Sequence, residues 1–403
     1  MTPYHRLARE SPDFAHWRLP VAALTGIGAF AFVSFLLVLV WMVGLLVAGV
    51  DADAWIDLAG TEIAVDRPSV LAFQLGSIAL LLPCVLGPVA IFWRRHVGYL
   101  HSVEGRVRWG WLGRCTALAF AVVAASLVLS VAVAAVAGDE VRPEALDGTR
   151  VTALVVVVLV VPFQAAAEEY VFRGGLLQLV GSWTRWAAVP VVLTSLLFAA
   201  GHVYNVWGLV SVFLFGVVAA VMTIRTGGLE AAIGLHIANN VVLMVFDTVG
   251  LVDSTGEGAG VVDEVLPTTV MCLVFWALVE AWARRTGLQR RRAPLPEPAS
   301  APAYRFVPPP PYVPPPGTPP GAHGRADDGA GHADVPAAAR PGQRPAVPRR
   351  PRGLGPLSPV RASPSLDSDP VEWLIVTSHV CVSDGSSCRS WRRSHGRARD
   401  GEG

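Results

Sequence analysis

The stretch Ala165-Ala166-Ala167-Glu168-Glu169-Tyr170-Val171-Phe172-Arg173 decides how the chain is read. It lies in an apolar run over about 151–180, long enough to cross a hydrocarbon core of about 30 Å as a helix. Each Asp, Arg or Lys near the centre of such a helix costs roughly 2.5–3.5 kcal/mol on insertion, so two carboxylates and a guanidinium this close together mark a buried site. Glu169 and Arg173 are four residues apart, with the acid on the N-terminal side, and can meet on one face as an ion pair. Glu168 is turned about 100° from Glu169 and is the carboxylate left over for chemistry. On this stretch alone two other readings stay open: a structural charge cluster between packed helices, and the lining of an ion path.

Outward from it, the composition is that of a membrane protein. The 403 residues are 53% hydrophobic and 16% charged, with a mean hydropathy of +0.48, too apolar for an ordinary soluble domain. The expected fold is an all-α polytopic membrane protein of about eight transmembrane helices, near 19–50, 70–93, 111–137, 151–180, 187–203, 206–224, 229–249 and 266–283. The first run has no small-residue cleavage site near its end and reads as a retained helix. Arginines flank alternate connections: Arg6, Arg9 and Arg18 before the first span, Arg94 to Arg114 between the second and third, then Arg185, Arg225 and Arg284-Arg285. The intervening loops are acidic or nearly uncharged, for example Asp51, Asp53, Asp57 and Glu62. This alternation places the chain as multi-pass in the cell membrane, with both termini cytoplasmic and Glu168 in the cytoplasmic half of its span.

The chain divides into a cytoplasmic N-terminal segment, 1–18, a membrane domain, 19–285, and a Pro/Arg/Ala-rich cytoplasmic tail, 286–403. Runs such as Val307 to Pro316 cannot bury a core, so the tail is expected to be disordered with polyproline II character. The last part, Val371 to Gly403, differs in composition again, and we have no physical account of it. Cys84, Cys115, Cys272, Cys381 and Cys388 suggest neither a disulfide framework nor a CxxC metal site. The expected partners are membrane lipid and a membrane-anchored protein or peptide substrate, with no nucleic acid.

Two further apolar stretches hold groups able to join Glu168. One ends Ser195-Leu196-Leu197-Phe198-Ala199-Ala200-Gly201-His202, with Phe198 and His202 one turn apart. The other contains His236-Ile237-Ala238-Asn239-Asn240, where His236 and Asn240 share a face. Singly, either histidine is more often a packing residue than a catalyst. Together with the carboxylates they supply a base, two imidazoles and a carboxamide from three spans, the parts needed to activate water and hold an oxyanion.

Glu-Glu-x-x-x-Arg, Phe-x-x-x-His and His-x-x-x-Asn, in this order over 151–249 and with the Gly227-Gly228-Leu229 to Gly234-Leu235-His236 run, resemble the CPBP intramembrane proteases. These are relatives of the type II CAAX prenyl endopeptidase, also called the Abi family. The resemblance makes 151–249 the catalytic core. It implies Glu168 as general base, His202 holding and polarising the water, and His236 and Asn240 donating to the oxyanion. Glu169, Arg173, Phe198 and Asn239 would support them. The implied activity is CAAX-type processing, hydrolysis of peptide bonds in membrane-associated proteins without a covalent acyl-enzyme.

No cofactor is required on this reading. The alternative, a zinc ion on Glu168, His202 and His236, stays open, although the His-Glu-x-x-His spacing is absent. The alternative function is a non-catalytic membrane scaffold or bacteriocin self-immunity factor of the same fold. A transporter or channel is a third reading, for which no inverted repeat is visible. One depth count strains the site: His202 falls roughly 20 Å or more from the cytoplasmic end of its span, against roughly 15 Å for Glu168. The fifth span must therefore be short, tilted or late in starting, and Pro190 gives a reason for a late start.

Overall fold

A computed structural model describes residues 1–11, 14–49, 65–138, 141–252 and 260–293. The loop acids Asp51, Asp53, Asp57 and Glu62, the expected disordered tail from 294 onward, and Cys381 and Cys388 lie outside the described residues. The protein is an all-α polytopic membrane protein, in which seven helices of the described residues are long and apolar enough to cross a bilayer.

In chain order the elements are β1 (Thr2–Pro3), a 3-10 turn (Tyr4–Glu10), α1 (Arg18–Ala48), α2 (Pro68–Ala79), α3 (Leu81–Trp93), α4 (Val97–His101), α5 (Trp109–Ala137) and α6 (Gly148–Glu169). A π-helical segment, Tyr170–Leu176, joins α6 to α7 (Leu177–Trp183). Then come α8 (Ala188–Ala200), α9 (Val206–Thr226), α10 (Glu230–Thr248), a π turn (Val261–Val265), α11 (Leu266–Arg285) and β2 (Arg291–Arg292).

Helix α1 is apolar all round and turns Phe32, Phe35, Leu39 and Val47 outward, as a lipid-facing helix does. It packs on α3, where Gly26 approaches so closely that a Cβ would stand 2.7 Å from the Cys84 carbonyl oxygen. Helix α10 is the buried centre, packed against α5, α6 and α9. Its residues from Glu230 through His236 are all buried. The described cysteines Cys84, Cys115 and Cys272 are free and buried.

Two details of the helices place the site. Pro162 stays within α6, and regular α geometry is lost only afterwards, in the π segment that begins right after Glu169. The fifth expected span is α8, an apolar helix of 13 residues, or about 20 Å. It starts at Ala188, one residue later than expected and with Pro190 in its first turn, and ends at Ala200. The expected late start is therefore not seen, and His202 stays roughly 20 Å from the start of its helix; its ring nevertheless meets the site through Phe198. Asn205 then caps α9, its Oδ1 accepting from the backbone N–H groups of Trp207 and Gly208.

One end of the bundle gathers the arginine-rich connections. Thr2–Pro3 pairs antiparallel with Arg291–Arg292, Ser102 bridges to Gly228, and Arg9 donates to the Ser182 carbonyl. The N-terminal segment is therefore packed rather than free, with Tyr4, Leu7 and Ala8 fully buried. At the other end the Glu144 N–H donates to the Val249 carbonyl and Arg150 Nε to that of Thr248. The composition change at 286 does not mark the end of ordered chain. Leu288 packs on the core and β2 is held by β1, so packed structure continues through Arg292.

A buried ion pair ties this end together. Arg108 Nε and Nη2 donate to Glu230 Oε1 and Oε2 at 2.8 and 2.6 Å, and Arg108 Nη1 donates to the carbonyls of Thr226 and Gln289. One guanidinium thus fixes the start of α5, the start of α10 and the exit from α11. Gly227, at φ 72°, ends α9 in the left-handed region that suits glycine and leaves room for this junction. Glu230→Ala is expected to cost about 3–5 kcal/mol by leaving the guanidinium buried and unpaired. The measurement is the thermal unfolding midpoint of the full chain in detergent, where Arg108→Met with Glu230→Leu should regain most of the loss.

Candidate active site

Glu168 and Glu169 are the last residues of α6, and the widened turn that follows carries Arg173. A π turn is a common device at functional sites because it re-aims side chains that a regular helix would stagger. Glu169 and Arg173 form the expected pair, Arg173 Nη1 donating to Glu169 Oε1 at 2.9 Å with both side chains out of contact with solvent. The Arg173 guanidinium also lies over the Phe198 ring, 4.1 Å from its centroid, a cation–π contact strengthened by desolvation. Room for it comes from Gly216 on α9, where a Cβ would lie 3.1 Å from Ser195 Cβ and 3.3 Å from Arg173 Nη2.

His236, on α10, stands between the two glutamates. Its Nδ1 is 2.8 Å from Glu169 Oε1 and its Nε2 is 3.3 Å from Glu168 Oε2. An ionised carboxylate only accepts, so Nδ1 carries the proton it shares with Glu169. Nε2 then faces the Glu168 oxygen, an arrangement favourable only when a proton or a donor lies between them. Glu168 Oε2 is buried and makes no hydrogen bond among the described residues, and the side chain as a whole is 12% exposed. Glu168 is therefore neither turned out of the bundle nor locked onto Arg173.

Phe198 is the hub on which the three motifs meet. Its ring packs edge-on against Phe172 at 5.2 Å, His202 at 4.8 Å and His236 at 5.7 Å between centroids. His202 follows α8, with Nδ1 donating to the Phe198 carbonyl at 2.8 Å, which leaves Nε2 as its free nitrogen. It lies within electrostatic reach of Glu168, His236 and Arg173. Asn240 sits one turn beyond His236 and meets a different partner. Its Nδ2 donates to Gln164 Oε1 at 3.2 Å, while Asn239 Nδ2 donates to Asn240 Oδ1 at 3.2 Å.

The structure thus brings Glu168, His202 and His236 together and sets Asn240 one turn along. It also shows groups that motif reading passed over: Gln164, Gly216 and the π segment. Gln164 was signalled by a polar side chain in an apolar run four residues before Glu168. The π segment had no signal beyond the Gly174-Gly175 pair. Among the described residues, no three His, Cys, Asp or Glu side chains converge in a geometry able to hold a metal ion. The zinc set of Glu168, His202 and His236 is not assembled in this conformation.

Such a site, a carboxylate and two imidazoles within a bundle of membrane-spanning helices, defines an intramembrane carboxylate–imidazole protein. Residues 150–242 match the family described as type II CAAX prenyl endopeptidase Rce1-like, so the resemblance carried by the three motifs is shown over that segment. The uncharacterized protein YyaK of Bacillus subtilis (strain 168) is 36% identical over 102 residues, 24% of this chain and 34% of the relative. An uncharacterized 24.3 kDa protein of Escherichia coli is 37% identical over 84 residues, 20% of this chain and 38% of the relative. The chain spans about a third of the length of these curated relatives. No solved structure matches it.

Gly216→Val tests the packing behind the pair. The added side chain must displace Ser195 or the Arg173 guanidinium, at an expected cost of about 1–3 kcal/mol. The readout is a lowered unfolding midpoint, which Ser195→Gly in the same chain should partly restore.

Proposed function

We propose that the protein is an intramembrane endopeptidase that hydrolyses peptide bonds of membrane-associated proteins with a water activated by Glu168. The observation that carries this reading is the buried Glu168 oxygen facing His236 Nε2 at 3.3 Å without a hydrogen bond. It is a base whose own helix does not neutralise it. Water held there gives a proton to the Glu168–His236 pair as it attacks the scissile carbonyl. The proton passes next to the leaving amine, so no covalent acyl-enzyme forms.

His202, anchored through Nδ1, directs Nε2 at the water. The resemblance gives His236 to the oxyanion, yet both of its nitrogens face carboxylates. In our scheme His236 therefore shares the proton with Glu168, and the oxyanion falls to Asn240. Glu169 holds the imidazole upright, Arg173 neutralises Glu169, and Phe198 spaces the two histidines.

We take the catalytic core as 151–249 within a membrane domain that reaches 285, with the arginine-rich end of the bundle facing the cytoplasm of the cell membrane. The reaction is assigned no metal, because Glu169 already supplies the carboxylate that orients His236 and Glu168 suffices as base. Addition of a chelator to purified wild type is expected to leave the cleavage rate unchanged. A loss reversed by stoichiometric zinc would overturn the metal-free scheme.

The deciding experiment compares membrane peptides from cells carrying wild type and Glu168→Ala. New termini present with wild type and absent with a folded Glu168→Ala variant are expected. Identical peptide sets would instead favour the non-catalytic scaffold or immunity factor.

A further inference from the structure

Four residues separate Gln164 from Glu168 on α6, and four separate His236 from Asn240 on α10. Each pair therefore shares a helix face. The two helices pack together, and the side chains meet as two rungs: Glu168 with His236 at 3.3 Å and Gln164 with Asn240 at 3.2 Å. The rungs are roughly 6 Å apart along the helices, a spacing at which a carbonyl attacked from the first rung would point its oxygen towards the second. Gln164 is only 4% exposed. A carboxamide buried among apolar helices is costly unless its hydrogen bonds are used.

We propose that Gln164 is a positioning residue, fixing the Asn240 carboxamide with its N–H side towards the reacting carbonyl. A free Asn side chain presents oxygen or nitrogen with nearly equal ease, and an oxygen turned towards an oxyanion would oppose the reaction. Here the polarity is set twice. Asn240 Oδ1 accepts from Asn239 Nδ2, and Asn240 Nδ2 gives one hydrogen to Gln164 Oε1. One Asn240 N–H is left to donate. Gln164 acts through Asn240 and touches no reacting atom. The inference rests on the peptidase reading above.

The test is a double-mutant cycle on the purified full chain in detergent. Its probe is a quenched fluorogenic peptide ending in a prenylated cysteine, two aliphatic residues and a C-terminal residue. Gln164→Leu is expected to lower kcat about tenfold or more while KM stays within about twofold, since the lost contact matters only in the transition state. Gln164→Leu with Asn240→Ala should then be no slower than Asn240→Ala alone. Losses that multiply, or a folded Gln164→Leu with wild-type kcat, overturn the proposal. Should Gln164→Leu not fold, Gln164→Glu keeps the accepting oxygen. In that background Asn240→Ala must cost the same factor as in wild type, and a smaller factor overturns the proposal. Wild type showing no Glu168-dependent cleavage removes the peptidase reading and this inference with it. Cleavage with multiplicative losses removes this inference alone.

Discussion

The buried charge pair Glu169–Arg173 is the constraint on which the membrane site depends. A guanidinium at lipid depth is tolerated only when paired and packed, and here Glu169 and the Phe198 ring provide both. The π segment places Arg173, Gly216 makes space for it, and Phe198 links it to the two histidines. Glu169 Oε1 takes both Arg173 Nη1 and His236 Nδ1, while Oε2 of Glu169 and Oε2 of Glu168 are each buried without a hydrogen-bond partner among the described residues. What sets Glu168 apart is that no arginine among the described residues is bonded to it. Helical spacing thus gives two adjacent carboxylates different surroundings, one bonded to Arg173 and the other not.

His236 shows how such a division is enforced. In a medium with few mobile dipoles, an imidazole between two carboxylates cannot turn without breaking a short hydrogen bond. Its tautomer is set on the Glu169 side, and what happens on the Glu168 side is left to the proton. The amides Gln164, Asn239 and Asn240 form a second fixed arrangement one turn away. The site is built from α6 and α10, both deeply packed, while His202 comes from the less enclosed stretch between α8 and α9.

Much of this was legible in the sequence because the membrane makes polar residues conspicuous. Glu168, Glu169, Arg173, His202, His236 and Asn240 stand out against apolar runs, and i, i+4 spacing alone assigns the Glu169–Arg173 pair. Span positions followed from hydropathy, with α8 flagged by a depth count that did not balance. The π segment escaped because nothing local distinguishes an i to i+5 turn from an α turn in an apolar sequence. Arg108 and Glu230 escaped because they lie far apart in the chain and each reads as an ordinary interfacial charge. The packed Leu288 to Arg292 stretch was hidden by a composition that looks like the start of a linker, since its order comes from β1 and Arg108 rather than from its own side chains.

The shortness of α8 has a physical corollary for the lipid around it. A helix of about 20 Å starting at the arginine-rich end stops before a hydrocarbon layer of about 30 Å has been crossed. Backbone groups between α8 and α9 cannot be left in dry acyl chains. On that flank the segment between α8 and α9 is either covered by neighbouring helices or met by water, and a thinner bilayer brings the headgroup region nearer to His202.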